Sequence, residues 1–258
     1  MNSMTGYGFS EGIYFGRKMR CEIKSVNNRF LEIDIKIPKE ISEFEFKIRR
    51  EIKRSVKRGK VSVVVEFDKL LYRVPFSLFR RKKKENSFED FYKTFKIAMQ
   101  EFETSRSEEG EAIENDIRER IRVFETLLDE IKEKHKTFPE KVKEKLKERV
   151  NEIAGEIFEL TGDRPIVDDK TIENMGVVHI VRKSDIQEEI VRLDNHIEKF
   201  KKVMEEGGDG KTLVFILQEM LRETNTIAAK SQDIEILNAA IDMKIEAERM
   251  REQIANVE

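Results

Sequence analysis

The chain has 258 residues, enough for one large domain or two small ones with a real core. Charged residues make up 40% and hydrophobic ones 38%, which points to long surface helices over a lean core; no run of about twenty apolar residues exists to span a membrane. The net charge of −2 conceals a polarity: residues 1–84 hold 22 Lys and Arg against 10 Asp and Glu, and the remainder hold 28 against 42. A basic front and an acidic rear imply either a polyanion partner or self-association through complementary faces.

The opening MNSMTGYGFS lacks the charged and apolar regions of a secretory leader. The one cysteine, Cys21, excludes an intrachain disulfide, fits a reducing cytoplasm, and sits where a small buried hydrophobe is expected. Strands are expected in TGYGFSEGIYF, RKMRCEIKSV and RFLEIDIKI, with Leu31, Ile33, Ile35 and Ile37 on one face of the third. Pro38 stops that strand. Ile41, Phe44, Ile48, Ile52 and Val56 then recur at helical spacing, Gly59 ends the helix, and KVSVVVEF returns as a strand. Residues 1–75 thus form a basic β-β-β-α-β module.

Residues 76–108 are expected to be a linker. Its basic run, Arg80 to Lys84, is read either as solvated chain or as an RNA contact. A short amphipathic helix over 87–103 is expected to break at TSRSEEG. Residues 109–162 form a charged helical arm with an apolar seam of Ile117, Ile121, Phe124, Leu128 and Ile131, kinked or broken at Pro139. Residues 163–258 form a helical C-terminal domain, with helices over about 185–206, 212–228 and 232–257. The fold class is α+β.

Two of those helices carry matching polar combs. Asp185, Glu188, Glu189, Arg192 and His196 share one face, as do Glu219, Arg222, Glu223, Thr226 and Lys230. Each comb flanks the apolar stripe of its helix and does not lie opposite it. Such carboxylates meet a neighbouring helix or a cleft, where a metal could be held. The competing account is an inter-helix salt-bridge network that fixes register. Phe215 lies on the otherwise polar side of its helix, so that side is expected to meet protein. His179 is expected to be packed and His135 solvated.

Several motifs, in the same order along the chain, resemble the YicC/YloC family. They are SMTGYG (Ser3 to Gly8), SVNNRFLEIDIKIP (Ser25 to Pro38), RGKV (Arg58 to Val61), EEGEAI (Glu108 to Ile113), SDIQEEIVRLDNHIEKF, QEMLRETNTIAAKS and EAERMREQIANVE. Residues about 70–107 and 163–184 match poorly. Val214 and Gly176 each replace a carboxylate usual in the family, so neither position is essential if this chain is active. The resemblance implies a cytoplasmic, metal-dependent endoribonuclease, a homo-oligomer, expected to be a hexamer, whose helical parts enclose an RNA channel.

On that basis Asp185, Glu188, Glu189, Glu219 and Glu223 are expected to bind Mn²⁺ or Mg²⁺, with His196 as general base or further ligand. Glu189, His196, Glu219, Arg222 and Glu223 form the expected catalytic set. Arg192, Arg222 and Lys230 would hold phosphate oxygens. Arg29, Arg58 and Lys60 would grip the RNA backbone. Tyr7 and Phe30 are expected in the core, with base stacking as the alternative. A metal-free ribonuclease using His196, and a non-catalytic RNA-binding or assembly protein, remain as rival readings.

Overall fold

The computed structural model describes residues 1–68, 87–162 and 177–257. The basic run at 80–84 and Gly176 lie outside the described residues, as does the side chain of His179. The chain forms two compact units, Met1–Asp116 with Gln253–Glu258, and Ile117–Glu252.

The first unit is built on strands β1 (Gly6–Tyr14), β2 (Arg17–Val26), β3 (Glu32–Lys36) and β4 (Lys60–Phe67), in sheet order β1-β2-β4-β3. β1, β2 and β4 are antiparallel neighbours, and β3 lies parallel to β4. A parallel neighbour needs a crossover. Here a 3-10 turn (Lys39–Phe44) and helix α1 (Glu45–Ser55) supply it. The expected stripe Ile41, Phe44, Ile48, Ile52 and Val56 is buried on the sheet with Cys21, whose thiol burial pushes up to about 12.

Helix α2 (Ser87–Thr161) differs from expectation. TSRSEEG does not break it, and it continues through Pro139. The first stretch is held by packing that outweighs the weak helix propensity of Ser and Gly. A Cβ at Gly110 would lie 2.2 Å from the Met1 carbonyl oxygen, so the glycine is what lets the N-terminal segment lie on the helix. Around Pro139, Phe138 and Val142 are buried. Their burial offsets the one hydrogen bond that Pro removes.

Glycines of β1 are explained by the same helix. A Cβ at Gly8 would fall 2.0 Å from the Ala98 carbonyl oxygen. Arg106, 2% exposed, donates from Nε to the Ser3 carbonyl at 2.7 Å and from Nη1 to the Ser55 carbonyl at 3.3 Å. Thr5 donates to Glu109 at 2.6 Å. SMTGYG and EEGEAI are therefore two halves of one packing contact. The C-terminal residues of this unit are strapped on by Met4 N–H to the Asn256 carbonyl (2.8 Å) and by the Ser3–Val257 bridge.

In the second unit the expected seam Ile117, Ile121, Phe124, Leu128 and Ile131 is buried. The same unit holds a short helix α3 (Val178–Lys183), α4 (Gln187–Glu205), α5 (Gly210–Lys230) and α6 (Ile234–Ile254). No described helix is long and apolar enough to cross a membrane.

Candidate active site

The turn between α4 and α5 fixes how the two combs meet. Gly207 takes φ +67°, a region open to glycine at little cost. Asp209 caps α5, its carboxylate accepting the Thr212 N–H at 2.8 Å, and that bond holds the carboxyl below its usual range. The helices then run back along each other with their apolar stripes buried, Ile190, Leu193, Ile197 and Phe200 from α4 and Leu213, Leu217, Met220 and Ile227 from α5. Polar residues beside the stripes are carried into the seam.

Two contacts set the register. Lys230 donates to Glu189 Oε1 at 2.7 Å, and Arg192 Nη1 stands 3.7 Å from Glu223 Oε1. One turn further along α4 and one turn back along α5, the register brings His196 level with Glu219. The expected convergence of the combs is thus present in one chain for Glu189, Arg192, Glu223 and Lys230.

Burial separates these groups sharply. Glu189 is 4% exposed and Glu223 is 6% exposed, values that carboxylates reach only when something compensates the lost water. Glu189 Oε2 is buried with no hydrogen-bond partner. A stranded carboxylate oxygen costs about 1–3 kcal/mol or more, so its retention asks for a ligand or a function.

The other comb members turn elsewhere. Asp185 is exposed, accepts the Gln187 N–H at 3.0 Å and stands 3.6 Å from His135 Nε2. Glu188 is exposed and bonded to Arg192. Glu219, partly buried, has Arg222 at 3.9 Å, and Arg222 itself is largely exposed. Thr226 donates to the Arg222 carbonyl. Among the described residues no three acidic, histidine or cysteine groups converge closely enough to hold a metal ion. The five-carboxylate ligand set is therefore not gathered within one chain, because the pairing cations and the helix surfaces draw Asp185, Glu188 and Glu219 outward.

His135 was expected in solvent but is half-buried beside Asp185. A usable signal was its position one turn from Ile131, at the edge of the α2 seam, three residues from Lys132. Lys132 in turn donates to Asp194 of α4 at 2.8 Å.

In the first unit Tyr7 and Phe30 were expected in the core and are instead 47% and 68% exposed. Lys24 Nζ lies 5.5 Å from the Tyr7 ring centre and the Arg29 guanidinium 5.4 Å from that of Phe30. Tyr7 faces the open side of the sheet, and Phe30 precedes β3, so the usual preference of aromatic rings for the core misplaced both. Lys60 pairs with Glu32 at 3.5 Å, and Arg58 is half-buried.

Residues 1–76 match the model of the endoribonuclease YicC-like N-terminal region, and residues 131–258 match that of the endoribonuclease YicC-like C-terminal domain. A Clostridioides difficile protein described as a probable endoribonuclease YicC is 30% identical over 299 residues, with 99% of each chain covered. The chain belongs to the YicC-like family. A Haemophilus influenzae protein of the same description is 26% identical over 272 residues, covering 92% of each chain. The family's C-terminal model contains the whole α4–α5 pair, and its N-terminal model contains the whole sheet.

Proposed function

We propose that this YicC-family chain is an endoribonuclease whose reactive centre lies along the α4–α5 seam. The observation that carries the proposal is the pair of buried carboxylates, Glu189 and Glu223, each facing a cation that extends to solvent. The descriptions of its relatives as probable endoribonucleases support the same reaction class.

The side chains of Lys230 and Arg192 are both partly exposed and are suited to phosphate oxygens. Arg can bind two such oxygens in one plane, and both cations oppose the negative charge that grows during phosphodiester cleavage. A carboxylate of the buried pair can accept a proton from the attacking oxygen once its cation has moved to the phosphate. His196, half-buried one turn along α4, would give or take the second proton of the reaction.

The donor chemistry suits a hard divalent cation, since Glu189 Oε2 is an unclaimed carboxylate oxygen. Glu189 and Glu223 would hold Mn²⁺ or Mg²⁺, which would neutralise the phosphate and lower the pKa of a bound water. The reading extends to a homo-oligomer, expected to be a hexamer enclosing an RNA channel. Val191 and Phe215, 49% and 57% exposed on α4 and α5, are apolar side chains that a second copy would cover.

The test is RNA cleavage with Mn²⁺ and with EDTA, comparing wild type, Glu223→Gln and His196→Ala at equal folded fraction. Each variant is expected to lose at least about 100-fold in rate. Unchanged cleavage by both removes the centre. Cleavage that persists in EDTA and leaves cyclic phosphate ends would replace the metal-dependent reading by the metal-free one.

A further inference from the structure

The cations of the first unit are unequally committed. On the open face of the sheet most are neutralised where they stand. Lys18 and Arg20 both meet Glu11 (2.7 and 3.2 Å), Lys24 meets Glu22 (2.6 Å), Lys36 meets Asp34 (3.8 Å) and Lys60 meets Glu32 (3.5 Å). On α1, Arg49 pairs with Glu45 and Arg54 with Glu51, while Lys47 lies over the Phe88 ring. Arg50 and Lys53 make no ion pair or hydrogen bond among the described residues.

Those two cations share a stripe with an aromatic ring. At about 100° per residue, Phe46, Arg50 and Lys53 fall within an arc of about 60°, opposite the buried Ile48 and Ile52. Phe46 is 75% exposed, although a large ring is normally drawn into the core. Nothing in the α1 packing requires it, because Ile41, Phe44, Ile48, Ile52 and Val56 already fill the contact with the sheet. The stripe spans about 10 Å along the axis.

We propose that the outer face of α1 is a strand-holding site for single-stranded RNA, with Phe46 stacking on a base and Arg50 and Lys53 binding backbone phosphates. The inference rests on the endoribonuclease reading and adds to it a substrate-binding element away from the α4–α5 seam. Stacking on one ring is tolerant of base identity, and phosphate contacts carry no sequence information, so the site grips without reading. A protein partner fits less well. Covering this stripe would take Arg50 and Lys53 out of water, which is costly unless the partner supplies matched carboxylates, whereas a polyphosphate chain brings its own charge. This places the grip on α1, not on Lys60, whose charge is already met by Glu32.

The test is fluorescence anisotropy with the full chain and a labelled 2′-O-methyl oligouridine in EDTA, so that neither cleavage chemistry consumes the probe. Titrations run between about 50 and 200 mM salt. Arg50→Gln with Lys53→Gln is expected to lower the slope of log affinity against log salt by about 1.4, from about 0.7 per phosphate contact on a single strand. Phe46→Ala is expected to weaken binding about tenfold with the slope unchanged. Lys18→Gln with Lys24→Gln, which removes cations already paired, is expected to leave both readouts at wild type. All the altered side chains are exposed, so melting temperatures are expected to match wild type.

A wild-type slope and affinity in both α1 variants, in protein that still cuts RNA, overturns the α1 site and leaves the endoribonuclease reading standing. A wild type that neither binds nor cuts RNA removes both. If light scattering shows the α1 variants losing an oligomer while each chain binds RNA as before, the face is a contact between copies and the proposal fails.

Discussion

The two units bury polar groups for different ends. In the first, Ser3, Ser10, Ser25 and Arg106 are buried, and the hydrogen bonds of Ser10, Ser25 and Arg106 run to main-chain carbonyls. Such groups fix how strand, helix and N-terminal segment lie together. In the second, the buried charges include two carboxylates one or two turns from each other's cations, one with an unclaimed oxygen. Motif strings of equal clarity in the sequence therefore mean packing in one place and, on the proposed reading, chemistry in the other. What separates them is the partner: a carbonyl that is always present, or a side chain that can swing to a substrate.

The contrast can be broken by substitution. Gly8→Ala is expected to cost about 3 kcal/mol or more, since its Cβ would sit 2.0 Å from a backbone oxygen that cannot give way. Arg106→Ala is expected to cost a similar amount by stranding the carbonyls of Ser3 and Ser55. Urea unfolding measures both, and the cleavage rate per folded molecule should stay at wild type. A selective loss of activity with stability intact would show that SMTGYG serves the reaction and not the packing.

Glu223→Gln should behave in the reverse way. It keeps shape and most packing, so unfolding is expected to move by less than about 1 kcal/mol, with Arg192 half-exposed and 3.7 Å away. A larger loss of stability would return the combs to a register-fixing salt-bridge network.

Asp209→Ala removes the α5 cap and is expected to cost about 1 kcal/mol. Glu235, beside Lys134 and Lys141, has its carboxyl lowered to about 2 by those hydrogen bonds. Because the folded value lies below the ordinary 4.5, its contribution is complete above that pH and is lost as pH falls towards about 2. Glu235→Gln is expected to flatten the acid limb of the stability curve within that window, with a small loss of stability at neutral pH that vanishes as pH falls towards about 2.

Much of the fold was legible because it rests on local pattern. The alternation of Met19, Cys21 and Ile23, and of Val61, Val63 and Val65, places both strands with the correct face inward. The stripe from Ile41 to Val56 places α1, and two apolar stripes place α4 and α5. The failures share a cause. TSRSEEG looks like a breaker because Ser and Gly are poor helix formers, and only the covering N-terminal segment reveals why the helix persists there. Tyr7 and Phe30 look like core residues because aromatic side chains usually are, and only the sheet's uncovered face shows otherwise.

In the site, periodicity pointed to the two helix faces from which Glu189, Arg192, Glu223 and Lys230 meet. It could not rank Glu189 and Glu223 above Asp185, Glu188 and Glu219. Residues one turn apart share a face, but depth depends on what the neighbouring helix brings over them. His135 shows the same limit, since its surroundings come from a residue 50 positions away in the chain.

The sequence alone determined the strands, most of the helices, the charge asymmetry and the matching combs, since each follows from residue spacing along one backbone. The tertiary structure decided which carboxylates lose their water, which cations are already spoken for and which rings stay exposed. Those outcomes depend on distances between segments far apart in the chain, and dielectric and desolvation act through space.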